Sequence, residues 1–186
     1  MTKVSRAGEG VALALSRDDA MLVRTLAGQV VALLDEPDPH GQTDPAVDPL
    51  EEMVGFTGEA VAAPEDPALR RLLPDAYAGD DSAAAEFRRL MDADLRRTKV
   101  AALRRILADG ERRQVQLSPD DAEEWLRGLN DVRLVLGVRL DVQEDMDDLV
   151  ASLRPDDPRL PLLYAYDRLT RIQDALLDAL DTDPAD

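Results

Sequence analysis

The chain has 186 residues, a length that suits one domain, and we expect residues 1–186 to fold as a single unit. It contains no cysteine, which excludes disulfides, thiolate metal sites and cysteine nucleophiles. Its net charge of -17 repels DNA phosphates at long range, so the charge disfavours tight non-specific DNA binding and suits docking to a basic protein partner.

The apolar fraction is 45% but aromatic residues make up only 3%, so the core must consist of Leu, Val, Ala and Met side chains. This composition favours helix-on-helix packing over a β-sandwich. No apolar run is long enough to cross a bilayer, and the N-terminal apolar stretch is too short for a signal peptide. We therefore expect a mainly α helical bundle that is cytoplasmic and makes no membrane contact.

The N-terminal segment KVSRAGEGVALALS predicts a β-hairpin with a tight turn at Gly8-Glu9-Gly10. The segment QVQL at 114–117 could add a third strand beside it. Ser16 has the side chain of a helix N-cap, with Asp19 in the capping position three residues later. A helix is therefore predicted to follow Ser16 and to end near residue 34.

Residues 35–49 are rich in proline and acidic residues, which predicts a flexible, exposed acidic loop. Short helices are predicted at about 50–56, at one or two turns between Pro67 and Pro74, and at about 143–153. Long helices are predicted from 83 to 109, after the start signal Ser118-Pro119 to 140, and from 162 to 180.

The stretch WLRGLNDVRLVLGVRL, at 125–140, predicts the central helix of the bundle, because apolar residues occupy more than one of its faces. Asn130 and Arg133 lie near the edge of the predicted core. We expect them to form a structural polar network with neighbouring helices, because buried polar groups need hydrogen-bond partners. Gly128 and Gly137 predict a close helix approach, either within the chain or in a homodimer.

The segment EFRRLMDADLRRTKVAALRR carries seven basic and three acidic residues and predicts an arginine-rich helix. Arg88, Arg89, Arg96 and Arg97 are the first candidates for an interaction surface. The alternative is a solvated helix face with its own ion pairs, in which acidic residues three or four positions before the arginines neutralise much of the positive charge.

The sequence contains no pattern typical of an active site or a metal site. The acidic run DVQEDMDD lacks the glycine and terminal glutamate of an EF-hand, and His40 is the only histidine. There is no Gly-rich phosphate loop, no Ser-His-Asp set and no HExxH. We therefore predict a protein that is not an enzyme, with no catalytic, cofactor-binding or metal-binding residues; a deep pocket holding carboxylates would revive the enzyme hypothesis.

Two blocks, DPALRRLLPDAY…EFRRLMDADLRRTK and WLRGLNDVRLVLGVRL, resemble an actinobacterial family of AosR-type oxidative-stress regulators that was long described as a domain of unknown function. The resemblance covers nearly the whole chain. It implies transcriptional regulation of cysteine-biosynthesis genes under oxidative stress, together with an alternative sigma factor. The chain departs from a thiol-based redox switch, because it has no cysteine that could form a disulfide.

The resulting hypothesis is a non-enzymatic regulator that contacts another protein, with a sigma factor as the expected partner. The alternative is a DNA-binding regulator that displays the arginine-rich helix, doubled in a homodimer. Steep salt dependence of promoter binding would support this alternative.

Overall fold

The computed structural model describes residues 2–35, 63–74, 80–142, 153–154 and 156–181, without the side chains of 81, 82 and 89. Within these ranges the chain forms one three-stranded sheet and five helices, which confirms the predicted mainly α fold. In chain order the elements are β1 (Lys3–Ala7), β2 (Gly10–Ala14), α1 (Arg17–Asp35), α2 (Pro67–Leu72), α3 (Asp81–Arg112), β3 (Gln114–Leu117), α4 (Pro119–Leu140) and α5 (Leu160–Asp181). Residue 35 of the loop predicted at 35–49 is the last residue of α1, and the rest of that loop lies outside the described residues. The predicted helix near 50–56 and all but residue 153 of the helix predicted near 143–153 also lie outside them.

The sheet has the order β1-β2-β3 and is antiparallel throughout, with the third strand where the sequence predicts it. The hairpin turns at Gly8, whose φ of 63° is a conformation that glycine adopts without a steric penalty. Gly10 lies so close to β3 that a Cβ atom there would be 2.0 Å from the carbonyl oxygen of Leu117. The hairpin therefore needs both glycines, for different steric reasons.

The starts of α1 and α4 follow the capping signals in the sequence. The Ser16 hydroxyl accepts a hydrogen bond from the backbone N–H of Asp19 at 3.1 Å. Ser118 and Asp121 form a complete capping box, in which each side chain accepts from the other residue's backbone N–H. These bonds satisfy N–H groups that a helix cannot pair within itself.

Helix α4 is central, as predicted, because it contacts α1, α2, α3, α5 and the strands β2 and β3. Trp125 lies at its N-terminal end and is 0% exposed. A Cβ atom at Gly128 would lie 2.7 Å from Cδ1 of Ile106 and 3.4 Å from the carbonyl oxygen of Ala102, both on α3. The close helix approach at Gly128 is therefore an approach of α3 to α4 within one chain.

None of the helices in the described part of the chain is both long enough and apolar enough to cross a membrane.

Candidate functional site

The arginines predicted to form an interaction surface on α3 do not share one exposed face. Arg88 is only 7% exposed, so its side chain lies within the protein and away from the solvent. Arg97 is exposed and forms an ion pair with Asp94, one turn earlier on the same helix. The side chain of Arg89 lies outside the described residues.

Arg96 links two helices of the bundle. Its Nη1 donates a hydrogen bond of 2.9 Å to the carbonyl oxygen of Leu34. That oxygen belongs to the last turn of α1, where carbonyl groups have no partner within the helix and a cation is favoured by the helix dipole. The geometry therefore gives Arg96 a role in holding α1 against α3.

Arg133 lies half-buried on α4 and faces α5. Its Nη1 donates to Oε1 of Gln173 at 2.6 Å, and its Nη2 donates to the hydroxyl oxygen of Tyr166 at 3.3 Å. The guanidinium carbon lies 5.0 Å from the centre of the Tyr166 ring, within the range of a cation–π contact. These contacts tie α4 to α5 through neutral groups.

The Nε atom of Arg133 is buried and has no hydrogen-bond partner, and the described residues place no carboxylate in ion-pair contact with this side chain. A buried donor without a partner costs about 1–3 kcal/mol. Asn130 lies one turn earlier on α4, is exposed, and makes no side-chain hydrogen bond within the described part of the chain. The two residues lie on the same face of the helix, but only Arg133 reaches α5.

Asn130 and Arg133 line a groove of about 490 Å³ between α2, α4 and the first half of α5. Its lining residues come from these three helices and from the two residues that follow α4: Arg71, Asn130, Arg133, Leu134, Gly137, Val138, Asp141, Val142 and Tyr166. The groove is thus lined by Asn130 and Arg133, the two residues of the predicted polar network. It is also lined by Gly137, one of the two glycines that predicted a close helix approach.

Helix α2 brings Arg71 to the groove from the opposite wall. Asp66 is the N-cap of α2, and its Oδ1 accepts a hydrogen bond of 2.7 Å from the backbone N–H of Ala68. The other oxygen of Asp66 pairs with Arg139 of α4. Burial alone would raise the pKa of Asp66, but its bonds to Arg139 and Ala68 outweigh this effect and hold the pKa below 3.8. This carboxylate fixes the position of α2 on α4.

The end of α4 forms the rim of the groove. Asp141 adopts the left-handed conformation with φ 52° and ψ 45°, and the N–H of Val142 donates to the carbonyl of Gly137 at 2.9 Å. This arrangement resembles the common glycine-ended helix stop, with aspartate in place of glycine. Asp141 thereby lines the same groove as Arg71 and Arg133.

Sequence reasoning missed three ionic clusters that join distant segments. The first is the pair Lys99–Asp131 between α3 and α4, with Nζ 2.6 Å from Oδ1. Burial raises the pKa of Asp131 above 3.8, and the nearby ammonium offsets only part of this rise. No periodic pattern reveals such a pair, because its members are 32 positions apart.

The second cluster surrounds Asp109, whose Oδ2 accepts hydrogen bonds from Nε1 of Trp125 at 3.0 Å and from Nε of Arg105 at 2.8 Å. Arg105 also pairs with Asp121 of the α4 capping box at 2.8 Å. Because a buried indole N–H needs an acceptor, this cluster explains how Trp125 can be fully enclosed.

The third cluster centres on Asp19 at the start of α1. Arg168 of α5 donates to both oxygens of this carboxylate, at 3.0 and 2.6 Å, and the hydroxyls of Thr2 and Ser16 donate to Oδ2. Burial on its own would raise the pKa of Asp19, but these hydrogen bonds outweigh it and lower the pKa below 3.8. The cluster ties the N-terminal segment, α1 and α5 together.

The described residues bring together no three or more His, Asp or Glu side chains that could hold a metal ion. The groove offers positive charge from its arginines and hydrogen-bonding groups from Asn130 and Tyr166. These groups can bind and orient an acidic group, but they do not form a nucleophile–base pair of the kind that covalent catalysis uses.

A family model described as a domain of unknown function, DUF2017, matches residues 1–180. The chain is 32% identical over 153 residues to the oxidative stress regulator AosR of Mycobacterium tuberculosis H37Rv, covering 74% of this chain and 68% of that protein. The Mycobacterium bovis protein of the same name matches equally well. The putative oxidative stress regulator AosR of Mycobacterium leprae is 29% identical over 180 residues, covering 87% of this chain and 78% of that protein.

No solved structure matches the chain. The family model covers nearly all of the sequence, and the aligned part of the Mycobacterium tuberculosis relative exceeds two thirds of either chain. The chain therefore belongs to the DUF2017 family, the family of the mycobacterial proteins named oxidative stress regulator AosR.

Proposed function

We propose that this protein is a non-enzymatic regulator in the oxidative stress response and that it acts by contact with another protein, a sigma factor. The observation that carries the proposal is the identity of 32% over 153 residues to proteins named oxidative stress regulator. The regulatory role follows from that relationship, whereas the mode of action rests on charge and on the placement of the arginines.

The charge of the chain supports a protein partner. With 39 acidic and 22 basic residues, the protein attracts basic surfaces and repels the phosphates of DNA. The arginine-rich helix does not offset this, because Arg88 is buried, Arg96 binds the end of α1 and Arg97 is paired with Asp94. These contacts favour protein contact over direct DNA binding.

The absence of cysteine shapes the proposed mechanism. A regulator without a thiol cannot respond to oxidants through its own disulfide. In the proposed scheme the oxidant acts on another component, and this protein changes the activity of the transcription machinery by binding to it.

The test is affinity capture of the tagged full-length protein from cells with and without oxidant treatment, followed by mass spectrometry. We expect a sigma factor among the captured proteins, and we expect the purified pair to bind more weakly as salt increases, because exposed opposite charges are screened. A tagged unrelated protein of similar net charge is the control. Recovery of no transcription component would overturn the proposal.

The alternative of direct DNA binding is decided by a promoter-fragment assay with a matched pair of variants. Arg97→Gln and Arg127→Gln each remove one exposed arginine that is paired on its own helix, on α3 and α4 respectively. If α3 contacts DNA, binding is steeply salt-dependent and only Arg97→Gln weakens it. Absent DNA binding, or equal effects of the two variants, favours the protein-contact mechanism.

Light scattering at several concentrations tests the homodimer, which stays a prediction.

A further inference from the structure

The groove between α2, α4 and α5 contains two arginines that form no ion pair with any described carboxylate. Within the described residues Arg71 makes no hydrogen bond or ion pair, and Arg133 donates only to the neutral side chains of Gln173 and Tyr166. Within the described part of the chain, both guanidinium groups therefore line the groove without an ion pair.

Other arginines of the same elements show the contrast. Arg139 of α4 pairs with Asp66, and Arg168 of α5 pairs with Asp19 through both carboxylate oxygens. These pairs hold helices together. Arg133 lines the groove, and each of its Nη atoms makes one hydrogen bond, that to Tyr166 being long at 3.3 Å, so the Nη groups keep N–H donors for a ligand. Its unsatisfied Nε–H is buried and is not a contact for a ligand in the groove.

We propose that this groove binds a small organic molecule through a carboxylate or phosphate group. A guanidinium group matches either group in geometry and charge, and it forms stronger hydrogen bonds with them than with neutral acceptors. Arg71 and Arg133 supply the charge, and the Asn130 amide supplies a further donor. The apolar part of the ligand lies against Val138 and the Tyr166 ring.

The size and the walls of the groove fit such a ligand. A volume of about 490 Å³ lies within the range of sites that hold small molecules. Among the described residues, Asp141 is the one acidic residue that lines the groove with Arg71 and Arg133, and it lowers the formal charge of this described lining from +2 to +1. This carboxylate repels a bound anion, so its removal strengthens anion binding in the proposed site.

The test measures binding of inorganic phosphate and of benzoate to the full-length protein, by calorimetry and by shifts of the arginine Nε–H signals in NMR spectra. Arg71→Gln removes a groove arginine, whereas Arg70→Gln removes the neighbouring arginine, which contacts the backbone of Glu65 and does not line the groove. Both variants change the net charge equally. We expect Arg71→Gln to weaken binding about tenfold or more and Arg70→Gln to leave it unchanged.

Asp141→Asn gives an independent readout, because the proposal predicts tighter anion binding when this rim charge is removed. Arg133→Lys keeps the positive charge and is chosen because complete loss of the arginine would loosen α5. We expect this variant to bind the anion more weakly, because lysine lacks the planar guanidinium group. Preference for phosphate would assign a phosphorylated ligand, and preference for benzoate would assign a carboxylic acid. Binding of neither probe, or equal losses in Arg71→Gln and Arg70→Gln, would overturn the proposal.

Discussion

Replacement of Lys99 by methionine removes the cation that faces a buried carboxylate at the contact of α3 and α4. Lys99 Nζ lies 2.6 Å from Oδ1 of Asp131, and the two side chains are 17% and 5% exposed. Methionine has a similar length and keeps the apolar contacts of the lysine stem. The substitution therefore isolates the effect of leaving Asp131 without its partner.

The burial of these two side chains sets the expected loss in the free energy of unfolding. Removal of one partner from a buried ion pair costs about 3–5 kcal/mol, because the remaining charge stays desolvated. The matched control is Arg127→Met, which breaks the exposed pair Arg127–Glu123 on α4, where the side chains are 61% and 57% exposed. Exposed pairs contribute about 0–1 kcal/mol, so the control should change the free energy of unfolding little.

The pH dependence provides a second check on the same variant. The pKa of Asp131 is already above 3.8 in the native protein, and loss of the Lys99 ammonium raises it further. The folded state then binds a proton more readily than the unfolded state between pH 3.8 and the raised pKa. The loss caused by Lys99→Met is therefore largest above that pKa, and it shrinks as the pH falls towards 3.8.

The assay is urea unfolding followed by the fluorescence of Trp125, the only tryptophan, which is fully buried in the folded protein. Adding Asp131→Leu to Lys99→Met should recover most of the lost stability, because a methionine–leucine contact leaves no buried charge. The reasoning is refuted if Lys99→Met costs no more than Arg127→Met at pH 7. It also fails if the cost is the same at pH 7 and at pH 4.

Three further predictions concern the caps and the sheet, and urea unfolding tests each of them. Gly10→Ala should destabilise the protein by about 1–3 kcal/mol, because its Cβ would overlap the Leu117 carbonyl oxygen. Gly28→Ala should stabilise it by up to about 1 kcal/mol, because a Cβ inside α1 would meet Cδ2 of Leu107 at an ordinary contact distance of 3.9 Å. Equal effects of the two variants would contradict the steric argument. Ser118→Ala should lower the free energy of unfolding by about 0.5–2 kcal/mol, because the capping hydrogen bond is lost. An unchanged midpoint of urea unfolding would contradict the capping role. The lowered pKa of Asp19 gives a stabilisation that is complete above pH 3.8 and is lost as the pH falls through its folded pKa; Asp19→Asn should therefore be least costly in acid, and a pH-independent cost would contradict this.

Local signals were sufficient for most of the secondary structure. Ser118-Pro119 and the apolar pattern after it predicted the start and the central position of α4, because capping and burial on several faces depend on neighbouring residues alone. The hairpin turn at Gly8 followed in the same way from residues that tolerate a tight turn.

The candidate site was less accessible from the sequence. The arginines at 88, 96 and 97 share one local pattern, yet one is buried, one binds the end of α1 and one pairs with Asp94. Helical periodicity gives the direction of each side chain on α3 but not which helix lies opposite. Arg71 was not singled out, because its proximity to Arg133 arises only when α2 packs on α4.

The chain by itself determined its helices, its hairpin, its lack of thiol chemistry and its acidic charge, since these depend on composition and on contacts within a few residues. Tertiary structure alone decided that Lys99 meets Asp131, that Arg168 meets Asp19 and that Arg71 and Arg133 line the same groove. The physical reason is that the contribution of a charged group to stability or binding depends on its burial and on its partner. Both are set by the packing of segments that are far apart in the sequence.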